Sequence, residues 1–210
     1  TRLCPGLIDG RDKEEFLIFD FCSNFEFFRI SPKGFAASGV QTIQERIFNL
    51  KLLMALELQK IHHCTEELMA FRSELVKDLV FKVKELNRDS FAVRNHLRYV
   101  DIYSEPDYFN GLTFDKINEI GEEISPLILP YPDDIGAVRF DALLNKLELM
   151  HLTGETDKRF YRELRQRAEH LSKLTTIPEI TEKKELIAEI LTEDYVENAD
   201  VFALEHIRKE

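Results

Sequence analysis

His62, His63 and Cys64 place three side chains able to ligate transition metals in consecutive positions. If they continue a helix, neighbours point about 100° apart, whereas a zinc site needs side chains that converge, usually from i, i+4 pairs or separate elements. They are therefore read as a solvated helix end, and no metal site is expected. Asp133-Asp134 follows Pro132 and precedes an apolar run, where acids suit the positive end of a helix dipole better than a cation. Arg88, Arg94 and Arg98 lie close together, and a helix through 91–103 would put Arg94 and Arg98 at i, i+4 on one face, able to touch a DNA backbone. Asp89 and Asp101 beside them offer the ordinary alternative, an ion-paired surface. Lys158, Arg159, Arg162, Arg165 and Arg167 form a second basic helix, diluted by Asp157, Glu163 and Glu169, that would serve equally for docking another protein. Ser, His and Asp are scattered, with no nucleophile elbow and no Gly-rich phosphate loop, so no self-sufficient active site is expected.

These residues must be held by a soluble, globular chain. At 210 residues and 44% hydrophobic content there is enough apolar material for a real core. The 28 basic against 39 acidic residues, net −11, disfavour nonspecific nucleic-acid binding by the chain as a whole, since that binding is driven by neutralising phosphates. Cys4, Cys22 and Cys64 are an odd number at wide spacing, which fits neither a disulfide framework nor a zinc knuckle and points to a reducing cytoplasm. No charged-then-apolar leader and no 18-residue apolar run is present, so neither secretion nor membrane spanning is expected. The lack of an initiator Met leads to the expectation that the native N-terminus lies upstream.

The elements fall into two kinds. Phe16-Leu17-Ile18-Phe19-Asp20-Phe21 reads as one strand buried on both faces, followed by a loop through Gly39. Everything after it reads as helix. Thr42-Ile43-Gln44-Glu45 is a capping box, and Ile43, Ile47, Leu50, Met54, Leu58 and Ile61 form the stripe of a long helix behind it. Leu68, Leu75, Leu79, Val83 and Leu86 mark a second helix, and 91–103 a third, closed before Pro106. Leu112 and Ile117 flank Thr113 at the spacing of a hydrophobic staple, predicting a helix to about Glu123 with Phe114, Ile117 and Ile120 on its core side. Ser125 to Asp134, with three prolines, reads as an extended connector and the main hinge. Helices at about 137–152, 157–173, 182–191 and 201–208 complete the chain.

The opening segment also resembles a known family. Thr1-Arg2, then Leu3-Cys4-Pro5, the charged spacer 9–15 and the Phe-rich run 16–28 are similar to the end of the motor in the R subunits of type I restriction-modification enzymes. There this segment follows helicase motif VI of a superfamily 2 translocase, and Thr1-Arg2 would be the last two residues of that motif. Glu45-Arg46-Ile47-Phe48-Asn49-Leu50-Lys51 resembles the family's first long helix after the motor. Leu129 to Asp134, Arg139-Phe140-Asp141, Ile177-Pro178, Leu186 to Tyr195 and Leu204 to Arg208 resemble its C-terminal helical domain in order and approximate spacing.

The resemblance implies a mainly α fold: residues 1–38 as a remnant of the second RecA-like lobe, then a multi-helix domain over 39–210 with its hinge near 125–134. Arg2 would be the motif VI arginine that stabilises charge on the transferred γ-phosphate, catalytic only in the complete motor. The full protein would be an ATP-dependent type I site-specific deoxyribonuclease, a cytoplasmic hydrolase using ATP and Mg2+ to translocate double-stranded DNA, with the nuclease and Walker A parts upstream. The piece alone would be inactive and need no cofactor. Its helical domain would dock the motor and nuclease on the methyltransferase (M) and specificity (S) subunits, without membrane contact. Two alternatives are a DNA-guiding module using Arg88, Arg94 and Arg98, and the tail of a stand-alone defence helicase.

Overall fold

Thr42 starts the first helix as its sequence dictates: its hydroxyl accepts the Glu45 amide at 3.1 Å while the Glu45 carboxylate accepts the Thr42 amide at 3.2 Å. The computed structural model of the chain describes residues 41–129, 135–192, 195 and 199–210, all within one unit, Val40–Glu210. The strand at Phe16–Phe21, Arg2, Asp133-Asp134 and residues 130–134 of the connector lie outside the described residues. Among the described residues every regular element is helical and none is a strand, in keeping with a mainly α class.

The helices are α1 Ile43–Glu57, α2 Glu66–Lys84, α3 Phe91–Arg94, α4 Leu97–Tyr103, α5 Phe114–Glu123, α6 Ile135–Thr153, α7 Lys158–Ser172, α8 Pro178–Glu182, α9 Lys184–Ile190 and α10 Val201–Lys209. Thr65, Ser90, Thr113, Asp157 and Asp200 cap five of them by accepting amides of the first turn. Among the described residues no helix is long and apolar enough to cross a membrane.

α1 carries two apolar stripes. The expected one supplies Leu50, Met54 and Leu58, which pack with Phe71, Leu75, Leu149, Leu152 and Val201 of α2, α6 and α10. Phe48, Leu52 and Ala55 form a second stripe that packs on Val76, Leu79, Val83, Val100, Tyr103, Phe109, Ile120 and Ile124. α1 is thus buried from two sides, between α2–α5 and α6. α6 in turn presents Leu143, Leu144 and Leu147 to Leu164, Ile187, Leu204 and Ile207 of α7, α9 and α10. The pair α1 and α6 is the seam along which two groups of helices are fused.

Four expectations change. The first stripe stops short of Ile61, which is 90% exposed, because α1 ends at Glu57 and Ile61–His63 forms a separate 3-10 turn. Phe114, expected in the core, is 75% exposed; the staple instead buries Leu112 with Ile117, Ile120 and Ile124. The connector expected to be extended from Ser125 begins as a 3-10 turn, Ser125–Leu127, since a proline fits a first helical turn. The Ser125 hydroxyl reaches Asn49 of α1, and Leu127 and Ile128 are buried in the core beside α1. The helix expected over 91–103 is two helices, interrupted at Asn95-His96. His96 is buried there with its Nδ1 2.6 Å from Glu123 of α5, a tertiary pairing that local periodicity does not register.

Arg72 of α2 clasps the end of α1. Its Nε donates to the Ala55 carbonyl at 2.9 Å and one Nη to the Phe109 carbonyl at 2.6 Å, both backbone acceptors at element ends. Gln59 completes the clasp, donating to the Leu112 carbonyl and accepting its amide. Burial lowers the Arg72 guanidinium from its ordinary range. Arg72→Ala is expected to cost roughly 1.5–3 kcal/mol in denaturant unfolding, the worth of bonds to a charged donor. Arg72→Lys should recover only part, because an ammonium lacks the fork that serves two carbonyls. A loss within about 0.5 kcal/mol, as at an ordinary surface position, would show that the clasp does not hold α1.

Candidate functional site

The arginines considered for DNA contact do not form one face. Arg94 ends α3 and Arg98 belongs to α4, so their i, i+4 relation on a single helix is lost at His96. Arg88 is paired with Asp101 at 2.8 Å, Arg94 lies 3.9 Å from Asp89, and Arg98 stands over the Tyr99 ring. On the basic helix α7 three of the five are similarly committed, and Lys158 and Arg162 make no ion pair with a described residue. Arg159 is held by Asp157 at 2.7 Å, Arg167 by Glu163 at 2.8 Å, and Arg165 approaches Glu169 at 3.7 Å. The Asp157 carboxyl falls to about 2 because Arg159 donates to it from side chain and backbone.

His62 and His63 do converge. The reading of them as a solvated helix end assumed α-helical geometry, and the chain has left the α-helix by Gln59. In the 3-10 turn the two rings lie 4.1 Å apart, and both Nε2 atoms face the carboxylate of Glu57.

Two further groupings were not legible as sites in the sequence. The first is a cleft of about 310 Å3 between the first turns of α1, α6 and α7, lined by Ile43, Arg46, Arg139, Phe160, Glu163 and Arg167 among others. Arg46 and Arg139 are exposed and make no ion pair with any described residue. Arg167 is braced by Glu163 and by the Phe140 ring beneath its guanidinium. Two guanidinium forks without ionic partners in one cleft suit a carboxylate or phosphate, which such forks bind bidentately. The only other ionised lining group is Glu163, already spent on Arg167, so the cleft is equipped for recognition. Arg46 and Arg139 both fall in stretches that carry the family resemblance, and that was the available signal.

The second is a buried charged seam across α1, α6 and α10. Glu148 of α6 is fully buried, and neither carboxylate oxygen meets a donor among the described residues. Its neighbour is another carboxyl, Glu205, so the two can be hydrogen-bonded only if one holds a proton. Arg208 grips Glu205 through two bonds of 2.6 and 2.7 Å. Burial first, then the Glu205 charge, push the Glu148 carboxyl up to about 8, against the lesser pull of Arg208 and Lys51. Burial also pushes Glu205 up, but Arg208 and Lys209 together outweigh it and leave that carboxyl below its usual range. Asp141, one side of the same seam, is raised by burial. Lys51 is shared with Asp78 of α2 at 2.8 Å.

No protein-family model matches the chain, and no curated protein or solved structure matches it.

Glu148 sets a pH dependence of stability. Its folded pKa is above the ordinary 4.5, so the folded protein binds a proton that the unfolded chain releases. Stability from this group is complete below the ordinary carboxyl range and is lost as pH rises through about 8. Melting curves across that window should therefore show Glu148→Gln gaining on the wild type as pH rises, by about 2–4 °C per kcal/mol of relieved penalty. A wild-type minus variant difference that is flat, or runs the other way, would mean that Glu148 is ionised in the folded chain.

Proposed function

We propose that residues 41–210 form a helical docking module, the C-terminal domain of a type I restriction R subunit, which attaches the ATP-dependent DNA-translocating motor and nuclease to the methyltransferase and specificity subunits. The observation that carries this reading is the open cleft between α1, α6 and α7, where Arg46 and Arg139 stand without ionic partners. Elsewhere the basic side chains of the two candidate clusters are largely occupied by neighbouring acids or rings. An acidic segment of a partner would neutralise what this domain leaves unpaired.

The resemblance supports the same reading from a separate direction. Glu45-Arg46 and Arg139-Phe140-Asp141 are among the residues that resemble the R-subunit helical domain, and Arg46 and Arg139 from these two stretches both line the cleft. The helical architecture agrees with what that domain would be. The alternative of a DNA-tracking face has less support, because Arg88, Arg94 and Arg98 are spread over two helices and a loop and two of them lie beside aspartates. In the complete protein Arg2 would still belong to the motor.

Assembly with the M and S subunits, followed by sedimentation or pull-down, tests the proposal. Arg46→Glu with Arg139→Glu is expected to weaken association by at least about tenfold, or roughly 1.4 kcal/mol, with the fold retained because both side chains are exposed. Arg88→Glu with Arg94→Glu should leave assembly unchanged. If the cleft variant assembles normally, the docking role of this cleft is wrong; if deleting 40–210 leaves assembly intact, so is the docking role of the domain.

A further inference from the structure

We infer that the turn following α1 is a binding site for a divalent d-block cation of the zinc type, with Glu57, His62 and His63 as its protein ligands. The site is independent of the arginine cleft and of the docking reading. Its three ligand atoms come from two elements, the last residue of α1 and the 3-10 turn, and all lie within 4.8 Å of one another. Glu57 Oε1 is 3.9 Å from His62 Nε2 and 3.7 Å from His63 Nε2. Bonds of about 2.0–2.1 Å at tetrahedral angles place ligands roughly 3.3 Å apart, so each glutamate–histidine separation must close by less than about 1 Å and the histidine–histidine one by at most about 1.5 Å.

A second observation points to a cation at the same spot. α6 ends in a Schellman turn: Gly154, at φ +69, sends its amide to the His151 carbonyl, and the Glu155 amide returns to Met150. That turn leaves the Leu152 carbonyl over, and it lies 3.2 Å from His63 Nε2. The negative end of α6 therefore faces the histidine pair together with the Glu57 carboxylate, which is only 11% exposed. In the metal-free chain Lys60 supplies the positive charge, its Nζ 2.6 Å from Glu57. Lys60 is 55% exposed on a flexible stem and can leave at little cost.

The donor set selects the ion. Two imidazoles and one carboxylate suit zinc and its neighbours, whereas Mg2+ and Ca2+ prefer all-oxygen shells. Ligation requires the unprotonated Nε2 of both rings, so His63 must carry its proton on Nδ1 and give up donation to Leu152. The His62 side, 64% exposed, provides the entry. The Cys64 thiol is directed to the Lys60 carbonyl, outside the set.

The test titrates Zn2+ into the full 210-residue chain by calorimetry, with Co2+ absorption as the coordination readout. One equivalent should bind, raising the melting temperature. His62→Ala should melt like the wild type without metal but bind Zn2+ more than about 100-fold more weakly, since even groups that merely orient a ligand are worth roughly 10- to 100-fold. Glu57→Gln should weaken binding as well, and Cys64→Ser should leave it unchanged. The assignment fails if no saturable binding occurs, if binding survives His62→Ala, or if it disappears with Cys64→Ser together with a thiolate-to-cobalt band.

Discussion

α6 lies in the middle of the described helices with most of its sides covered. From Ala142 to Leu152 only Lys146 and His151 escape full burial, and the run that is buried includes Asn145 and Glu148. Asn145 satisfies itself by donating to the Asp141 carbonyl one turn back. Glu148 has no such escape. A carboxyl group in that position must keep its proton or be answered by nearby cations, and Arg208 is already taken by Glu205. The arrangement of α1 and α10 around α6 is therefore constrained as much by where Lys51 and Arg208 can sit as by the packing of leucines.

That constraint has a consequence at the surface. α6 is enclosed along its middle and open at its first turns, where Arg139 lines one cleft with Arg46 at the matching end of α1. The opposite ends of the same two helices meet Glu57, His63 and the Leu152 carbonyl. The α1–α6 pair is thus anchored along its middle by apolar contact and carries a polar feature of opposite sign at each end. A rigid pair of this kind is a suitable base for docking, since its recognition groups lose little freedom when a partner binds.

What the sequence made legible was whatever depends on neighbours a few residues apart. The capping box at Thr42, the staple around Thr113, the stripes of α1 and α2 and the approximate bounds of α6, α7 and α10 are local patterns, and local rules read them. The second stripe of α1 went unseen because a single amphipathic face implies a single core, whereas Phe48, Leu52 and Ala55 serve another. Glu148 drew no attention in the sequence, because a lone acid in a helical stretch carries no local sign of its burial. The split at His96 is set by Glu123, and the cleft by residues from three helices distant in sequence. The approach of His62 and His63 to Glu57 went unseen because α1 was assumed to continue through them. The expected strand at 16–21 and Arg2 fall outside the described residues.

The central claim is that the first turns of α1, α6 and α7 form the face that meets the methyltransferase–specificity core. Amide hydrogen exchange, measured on the chain alone and assembled with that core, tests it most directly. The account predicts slowed exchange confined to residues 43–48, 138–143 and 160–167, with 88–98 unchanged. Protection at 88–98 with the cleft unaffected would contradict it.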